Sequence, residues 1–275
     1  MLVSLISSRS VAAKLVHRRG QNEALIKQLY DECVPLSRSV DASNRGFPAD
    51  PQALRRDGPI GLQGSLLDLE EELGLRELPG GIRRTQLSHG AWVDLRPGWV
   101  TGSERLFDAL RRDVDWRGER RRMYERVVDT PRLLRFFGAD EALPHPFVDR
   151  ARLALTAHYA AELGEPFTSV GMCLYRDGRD SVAWHGDTIG RGATCDTMVA
   201  IVSLGTPRPL LLRPRRTDAP GTGGGARTSL RFVVGHGDLL VMGGSCQRTW
   251  EHAVPKVGTA TGPRISLQYR PRGVA

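Results

Sequence analysis

The chain has 275 residues, enough for one well-buried catalytic domain with an appendage, and its 40% hydrophobic and 25% charged composition is ordinary for a soluble globular protein. No apolar stretch approaches the roughly 20 residues that a membrane-spanning helix needs. The apolar start, residues 1–6, is broken by Arg9 and Lys14 before a signal-peptide core could form, so a cytoplasmic protein acting without a membrane is expected. The net charge of +8 is almost wholly arginine, since lysine occurs only at Lys14, Lys27 and Lys256. Such charge attracts phosphate backbones, although a genome rich in arginine codons would leave the same excess.

In chain order, residues 1–61 show one short helix candidate over 22–33, then an Arg/Asp/Ser/Pro/Gly-rich stretch over 37–58 that suits a linker or disorder. They read as a weakly ordered extension, with a compact domain over 62–275. From Ser103 to Arg122, Leu106, Phe107, Leu110 and Val114 recur at helical spacing, and Trp116 and the basic run 117–126 follow. A solvated helix face accounts for such a run, but Trp116 and Tyr124 interleave with the arginines, as in a lid that faces nucleic acid. A second helix is predicted over 147–163, with Val148, Ala151, Leu155 and Tyr159 on one stripe.

Beyond Gly164 the texture changes to short β-rich runs at 169–175, 197–204, 208–213, 229–234, 238–242 and 264–269, with Gly, Pro and Asp between them. That spacing predicts a β-sandwich or jelly roll with flanking helices. Residues 218–227, with three consecutive glycines, read as a flexible inserted loop. Cys33, Cys173, Cys195 and Cys246 show no C-x-x-C spacing, which argues against a structural zinc site or a disulfide framework.

The chemistry concentrates in Trp184-His185-Gly186-Asp187 and, far downstream, Trp250-Glu251-His252. On an extended strand His185 and Asp187 point the same way and can chelate one ion. Two histidines and one carboxylate on one face of a metal suit non-haem Fe(II), which must leave positions open for a cosubstrate and dioxygen. A second H-x-D, His236-Gly237-Asp238, precedes the apolar run 239–242 and reads instead as a turn whose Asp238 bonds local backbone amides. At the end of the chain, alternation puts Arg264, Ser266, Gln268 and Arg270 on one strand face and Ile265, Leu267 and Tyr269 on the other. Arginines aimed into a small barrel mouth are costly unless an anion meets them, and a dicarboxylate cosubstrate would supply it at Arg264.

In this order, Tyr175-Arg176-Asp177-Gly178, the H-x-D, Gly237-Asp238-Leu239-Leu240-Val241-Met242, His252-Ala253-Val254-Pro255 and the closing Arg-x-Ser-x-x-x-Arg resemble the AlkB-type alkylated-nucleobase dioxygenases. The resemblance covers residues 62–275 and is strongest over 170–270. It implies a double-stranded β-helix (jelly-roll) core over about 165–275, with an N-terminal helical nucleotide-recognition lid over about 103–140. It further implies Fe(II) at His185, Asp187 and His252, and 2-oxoglutarate at Arg264, Arg270, Tyr175 and Ser266. The implied reaction is oxidative dealkylation of N-alkylated bases in DNA or RNA with dioxygen, giving aldehyde, succinate and carbon dioxide. No obligate protein partner is implied. Trp116, Tyr124 and Trp184 are candidates to stack on the flipped base, against core packing as the simpler role.

Three positions depart from the family's pattern: Cys173 where Asn is common, Ser266 and Gln268 inside the closing motif, and Thr188-Ile189-Gly190-Arg191 where acidic residues often follow the H-x-D. Two competing readings stay open. One is the same chemistry on a protein side chain or small molecule; the other is an inactive basic module that binds nucleic acid. A zinc hydrolase has no use for the paired arginines.

Overall fold

The computed structural model describes residues 71–123, 126–215, 229–258 and 260–274. The helix candidate at 22–33, the stretch 37–58, the inserted loop 218–227 and Tyr124 lie outside the described residues.

Two sheets face each other. The larger contains β2 (Arg83–Gln86), β3 (Ala91–Arg96), β5 (Arg117–Met123), β6 (Arg126–Phe137), β7 (Phe167–Tyr175), β9 (Val199–Gly205), β12 (Asp238–Gly244) and β14 (Arg264–Pro271), in the order β2-β3-β12-β9-β14-β7-β6-β5. The smaller contains β8 (Val182–His185), β10 (Arg208–Pro214), β11 (Leu230–Val234) and β13 (Trp250–Val254), in the order β11-β10-β13-β8. All the named pairings are antiparallel. A further short pair joins β1 (Gly74–Leu75) to β4 (Val100–Thr101). The strands from β7 onward form the jelly-roll core.

The period-2 pattern of each strand divides its side chains between two cores. Val199 and Ile201 of β9, Leu240 and Met242 of β12, and Cys173 and Tyr175 of β7 face inward and meet Leu210, Leu212 and Val254 of the smaller sheet. The alternate residues, including Val202, Leu204, Val241, Ile265, Leu267 and Tyr269, face outward and are covered by two helices. Helix α1 (Ser103–Asp113) contributes Leu106, Phe107 and Leu110, and α2 (Pro146–Leu163) contributes Val148, Ala151, Leu155 and Tyr159. Each of these large buried side chains stabilises the fold by about 1.5–3 kcal/mol over exposure. Pro146 starts α2, whose first turn is capped by the His145 Nδ1 accepting from the Phe147 N–H at 3.1 Å, and Gly164 ends it at φ +72°. Among the described residues no helix is long and apolar enough to cross a membrane.

The structure corrects one expectation. The helical run stops at Asp113, and Arg117–Met123 is a strand, so the segment expected to form a helical lid is largely the hairpin β5–β6 at the edge of the larger sheet. Residues 117–123 lack an apolar helical stripe to bury, whereas pairing with β6 satisfies their backbone groups; tertiary pairing overrides local propensity. The expected β-runs lie within or beside β7, β9, β10, β11, β12 and β14.

Candidate active site

His185 ends β8, His252 lies directly across from it on β13, and Asp187 follows in the loop after β8. One ligand atom from each of the three lies within 4.8 Å of the others, and the two imidazole centroids are 4.2 Å apart. The His185 Nδ1 is 2.8 Å from the Ala183 carbonyl. Donation there leaves the Nε2 lone pair, 3.8 Å from Asp187 Oδ1, free to ligate. Burial, and then the neighbouring His185, push the His252 imidazole down to about 3, so that it is neutral and able to bind a metal. Burial opposes ionisation of Asp187, but the charge of Arg270 and then the two histidines outweigh it and hold the carboxyl below its ordinary range. Arg270 Nε donates to Asp187 Oδ2 at 3.2 Å. This donor set, two imidazoles and an ionised carboxylate, fits a non-haem Fe(II) site.

Gly186 is required between the two ligands because a Cβ there would lie 2.5 Å from the Gln247 carbonyl oxygen and 3.2 Å from that of Trp250. Gln247 sits on the one-turn helix α3 (Cys246–Thr249), and its side-chain Oε1 accepts from the Asp187 N–H at 3.1 Å. Cys246 beside it is buried, and burial, then the charge of Asp187, push its thiol up to about 12.

The inner face of β14 adjoins the ligands through the Arg270–Asp187 bond. Arg264 is 2% exposed; its Nε donates to Ser203 Oγ at 2.8 Å, and its Nη1 is buried with no hydrogen-bond partner among the described residues. Tyr175, paired with Arg264 in the β7–β14 ladder, has its ring centroid 5.2 Å from that guanidinium, and burial pushes its phenol up to about 12. A buried guanidinium with a free N–H beside a neutral tyrosine hydroxyl matches a carboxylate of 2-oxoglutarate. Gln268 Nε2 donates to Ser266 Oγ at 2.6 Å and to the Ser266 carbonyl at 3.1 Å, while the Cys173 thiol faces Gln268 Oε1 at 3.8 Å. The departures at 173, 266 and 268 thus form one connected group.

The second H-x-D stands apart. Asp238 accepts from the Gly98 and Gly235 N–H groups, each at 2.7 Å, and His236 Nδ1 accepts from the Gly205 N–H at 2.6 Å. Of the candidate stacking residues, Trp116 packs on the helix-covered core and is not brought to the ligands. Trp184 alternates with His185 on β8; its ring lies 4.1 Å from the Arg213 guanidinium, which pairs with Glu251 at 2.9 Å, so it belongs to the outer face of the smaller sheet. Ile189 is 73% exposed. Sequence reasoning missed Ser203, Gln247 and Arg208. The signal for Ser203 was there: it is the one polar residue in the inward phase of an apolar strand.

The 2OG-Fe(II) oxygenase superfamily matches residues 138–270. Alpha-ketoglutarate-dependent dioxygenase alkB homolog 3 of Bos taurus is 31% identical over 221 residues, covering 74% of each chain. The Homo sapiens protein of that name is 28% identical over 245 residues, covering 82% of this chain and 79% of its own. DNA oxidative demethylase ALKBH2 of Arabidopsis thaliana is 34% identical over 131 residues, covering 42% of this chain and 41% of its own. Fold and donor set define a 2-oxoglutarate-dependent oxygenase of the jelly-roll class. More narrowly, the chain belongs to the AlkB-like Fe(II)- and 2-oxoglutarate-dependent dioxygenases, enzymes that use dioxygen as second cosubstrate.

Proposed function

We propose that this dioxygenase removes alkyl groups from nucleobase nitrogens in DNA or RNA, releasing aldehyde, succinate and carbon dioxide. In this reading His185, Asp187 and His252 hold Fe(II). Arg264, Tyr175 and Ser266 receive the distal carboxylate of 2-oxoglutarate, and Arg270 stands at its metal-chelating end while keeping Asp187 ionised. With its cosubstrates the metal supplies the oxidising power to hydroxylate the N-alkyl carbon. The hydroxylated product is a hemiaminal, which sheds aldehyde and restores the base. Residues 62–275 form the catalytic domain, residues 1–61 an extension, and the site of action is cytoplasmic.

The observation that carries the reading is the conjunction, inside one sandwich, of three ligand atoms within 4.8 Å and a buried Arg264 with an unpartnered Nη1. The net charge of +8 and relatives named as DNA oxidative demethylases support nucleic acid as substrate. A base inside a duplex must leave the helical stack to reach the metal.

The test is anaerobic titration with Fe(II) and 2-oxoglutarate, watching the weak visible charge-transfer band. The band is expected in the wild type and in His236→Ala and absent in His185→Ala. Formaldehyde release from N-methylated oligonucleotides then tests the substrate; a band without release from any of them would refute the nucleobase reading. One observation favours a different substrate: Ile189, an exposed apolar residue two positions beyond Asp187. Turnover that does not fall as salt rises would support that second reading.

A further inference from the structure

Arg208, the first residue of β10, is 1% exposed, and among the described residues no carboxylate bonds to it. Its Nη1 donates to the Asp177 carbonyl at 3.1 Å, and its Nη2 donates to the Asp180 and Pro255 carbonyls at 2.8 Å each. Its Nε is buried without a partner among the described residues. The two acidic side chains nearby are engaged elsewhere: Asp177 Oδ2 accepts from Arg179 at 2.6 Å, and Asp180 takes Arg176 in a two-pronged pair at 2.8 and 2.9 Å. Arg208 also lies 5.5 Å from the Tyr175 ring centroid, the same ring that has Arg264 at 5.2 Å. Two buried guanidinium groups therefore share one tyrosine and, among the described residues, have no anion hydrogen-bonded to them.

The three carbonyls satisfy donors of Arg208, but they carry no opposite charge. A buried cation is costly unless an opposite charge arrives. Burial, and then the charge of Arg264, already bear down on the pKa of Arg208, as burial does on that of Arg264. The charge itself thus calls for an explanation, and the cosubstrate offers one.

We infer that Arg208 is a second cation of the cosubstrate pocket, a positioning residue that acts through Tyr175 and the field beside Arg264 to select a dicarboxylate over a monocarboxylate 2-oxo acid. Its bonds to the Asp180 and Pro255 carbonyls also hold the guanidinium in place between the β7–β8 loop and the end of β13. This inference rests on the assignment of Arg264 to the distal carboxylate.

The test is calorimetric binding of 2-oxoglutarate and of 2-oxobutyrate, which lacks the distal carboxylate, to the full chain loaded with Mn(II). Arg208→Met is expected to weaken 2-oxoglutarate about tenfold while leaving 2-oxobutyrate within about twofold, the signature of a lost charge. Arg208→Lys, which keeps the charge, is expected to keep the preference; losing it as fully as Arg208→Met does would overturn the proposal. Equal weakening of both ligands, the mark of a purely structural role, would overturn it too, as would no change in either. Should Arg208→Met not fold, Arg264→Met decides: a residual several-fold preference for the dicarboxylate supports the inference, and no preference sinks it. Wild-type protein that binds neither ligand when loaded with Mn(II) would instead refute the underlying site assignment.

Discussion

Gly171 of β7 faces the site, and a methyl group placed there tests how closely Arg270 and Gln268 are set. An alanine Cβ would lie 2.8 Å from Arg270 Nη1 and 3.0 Å from Gln268 Oε1, and no backbone atom is among its nearest neighbours. Both neighbours are the ends of long side chains, so the strand can hold while they retreat. Arg270 must withdraw about 0.6 Å to reach ordinary contact at 3.4 Å. Its Nε and Nη2 both lie 3.2 Å from Asp187 Oδ2, so a retreat of this size directed away from the carboxylate stretches both contacts beyond hydrogen-bonding range. A hydrogen bond to a charged group contributes about 1.5–3 kcal/mol. Gly171→Ala is therefore expected to weaken Mn(II) and 2-oxoglutarate binding by about tenfold or more. Thermal stability should fall by less than about 4 °C, because alanine also restricts the unfolded chain and offsets part of the loss. Calorimetric titration and differential scanning fluorimetry read the two quantities. Unchanged binding in a folded variant would refute the reasoning, since Arg270 would then contribute nothing by its grip on Asp187.

Gly186→Ala meets backbone carbonyls on two sides rather than pliable side-chain ends, so it is expected to abolish metal-dependent 2-oxoglutarate binding; a variant with wild-type affinity would show that the ligand loop can shift freely. Asp94 is 2% exposed and accepts two bonds of 2.7 Å from Arg84 and one of 3.0 Å from the Tyr159 hydroxyl. Asp94→Asn should destabilise by about 2–3 kcal/mol in urea unfolding, below the full cost of breaking a buried pair because Arg84 is partly solvated and keeps Glu162; a loss under about 1 kcal/mol would contradict this. His158 has its pKa lowered from 6.5, by burial and then, to a lesser extent, by Arg84, against the pull of Asp94 and Glu162. The unfolded chain takes up that proton first, so the contribution of His158 is complete above about pH 6.5 and lost as pH falls toward its folded pKa; His158→Gln should flatten that part of the urea-midpoint profile, and an unchanged slope would count against it.

The sandwich was readable because strands such as β9, β12 and β14 bury both faces or alternate cleanly, and each inward or outward phase found its partner core. The metal-ligand candidates were readable because His185 and Asp187 lie two apart, and Arg264 and Arg270 because they share one phase of a terminal strand. β8 and β13 were harder to see as strands: they are four and five residues long, and the sequence advertises their chemistry rather than their periodicity. Gln247 and Arg208 gave no local signal, because their partners, the Asp187 amide and the Asp177, Asp180 and Pro255 carbonyls, are set only when distant segments meet. Trp184 misleads for a related reason. An aromatic next to a ligand looks like a base-stacking residue, yet strand alternation turns it to the face where Arg213 covers it.

The charges inside the sandwich explain why metal and cosubstrate belong together. Asp187 is a carboxylate, His252 is neutral, Arg264 and Arg270 are cations on the same strand face, and in the reading proposed above Arg208 adds a third. A divalent ion entering this space adds to an excess of positive charge, and a dicarboxylate offsets what the ion adds. Each ligand therefore lowers the electrostatic cost of the other, and linkage makes the effect reciprocal: whatever 2-oxoglutarate adds to metal affinity, the metal adds to 2-oxoglutarate affinity. Among the described residues the Nη1 of Arg264 is buried without a hydrogen-bond partner, and the arriving carboxylate of 2-oxoglutarate would supply one.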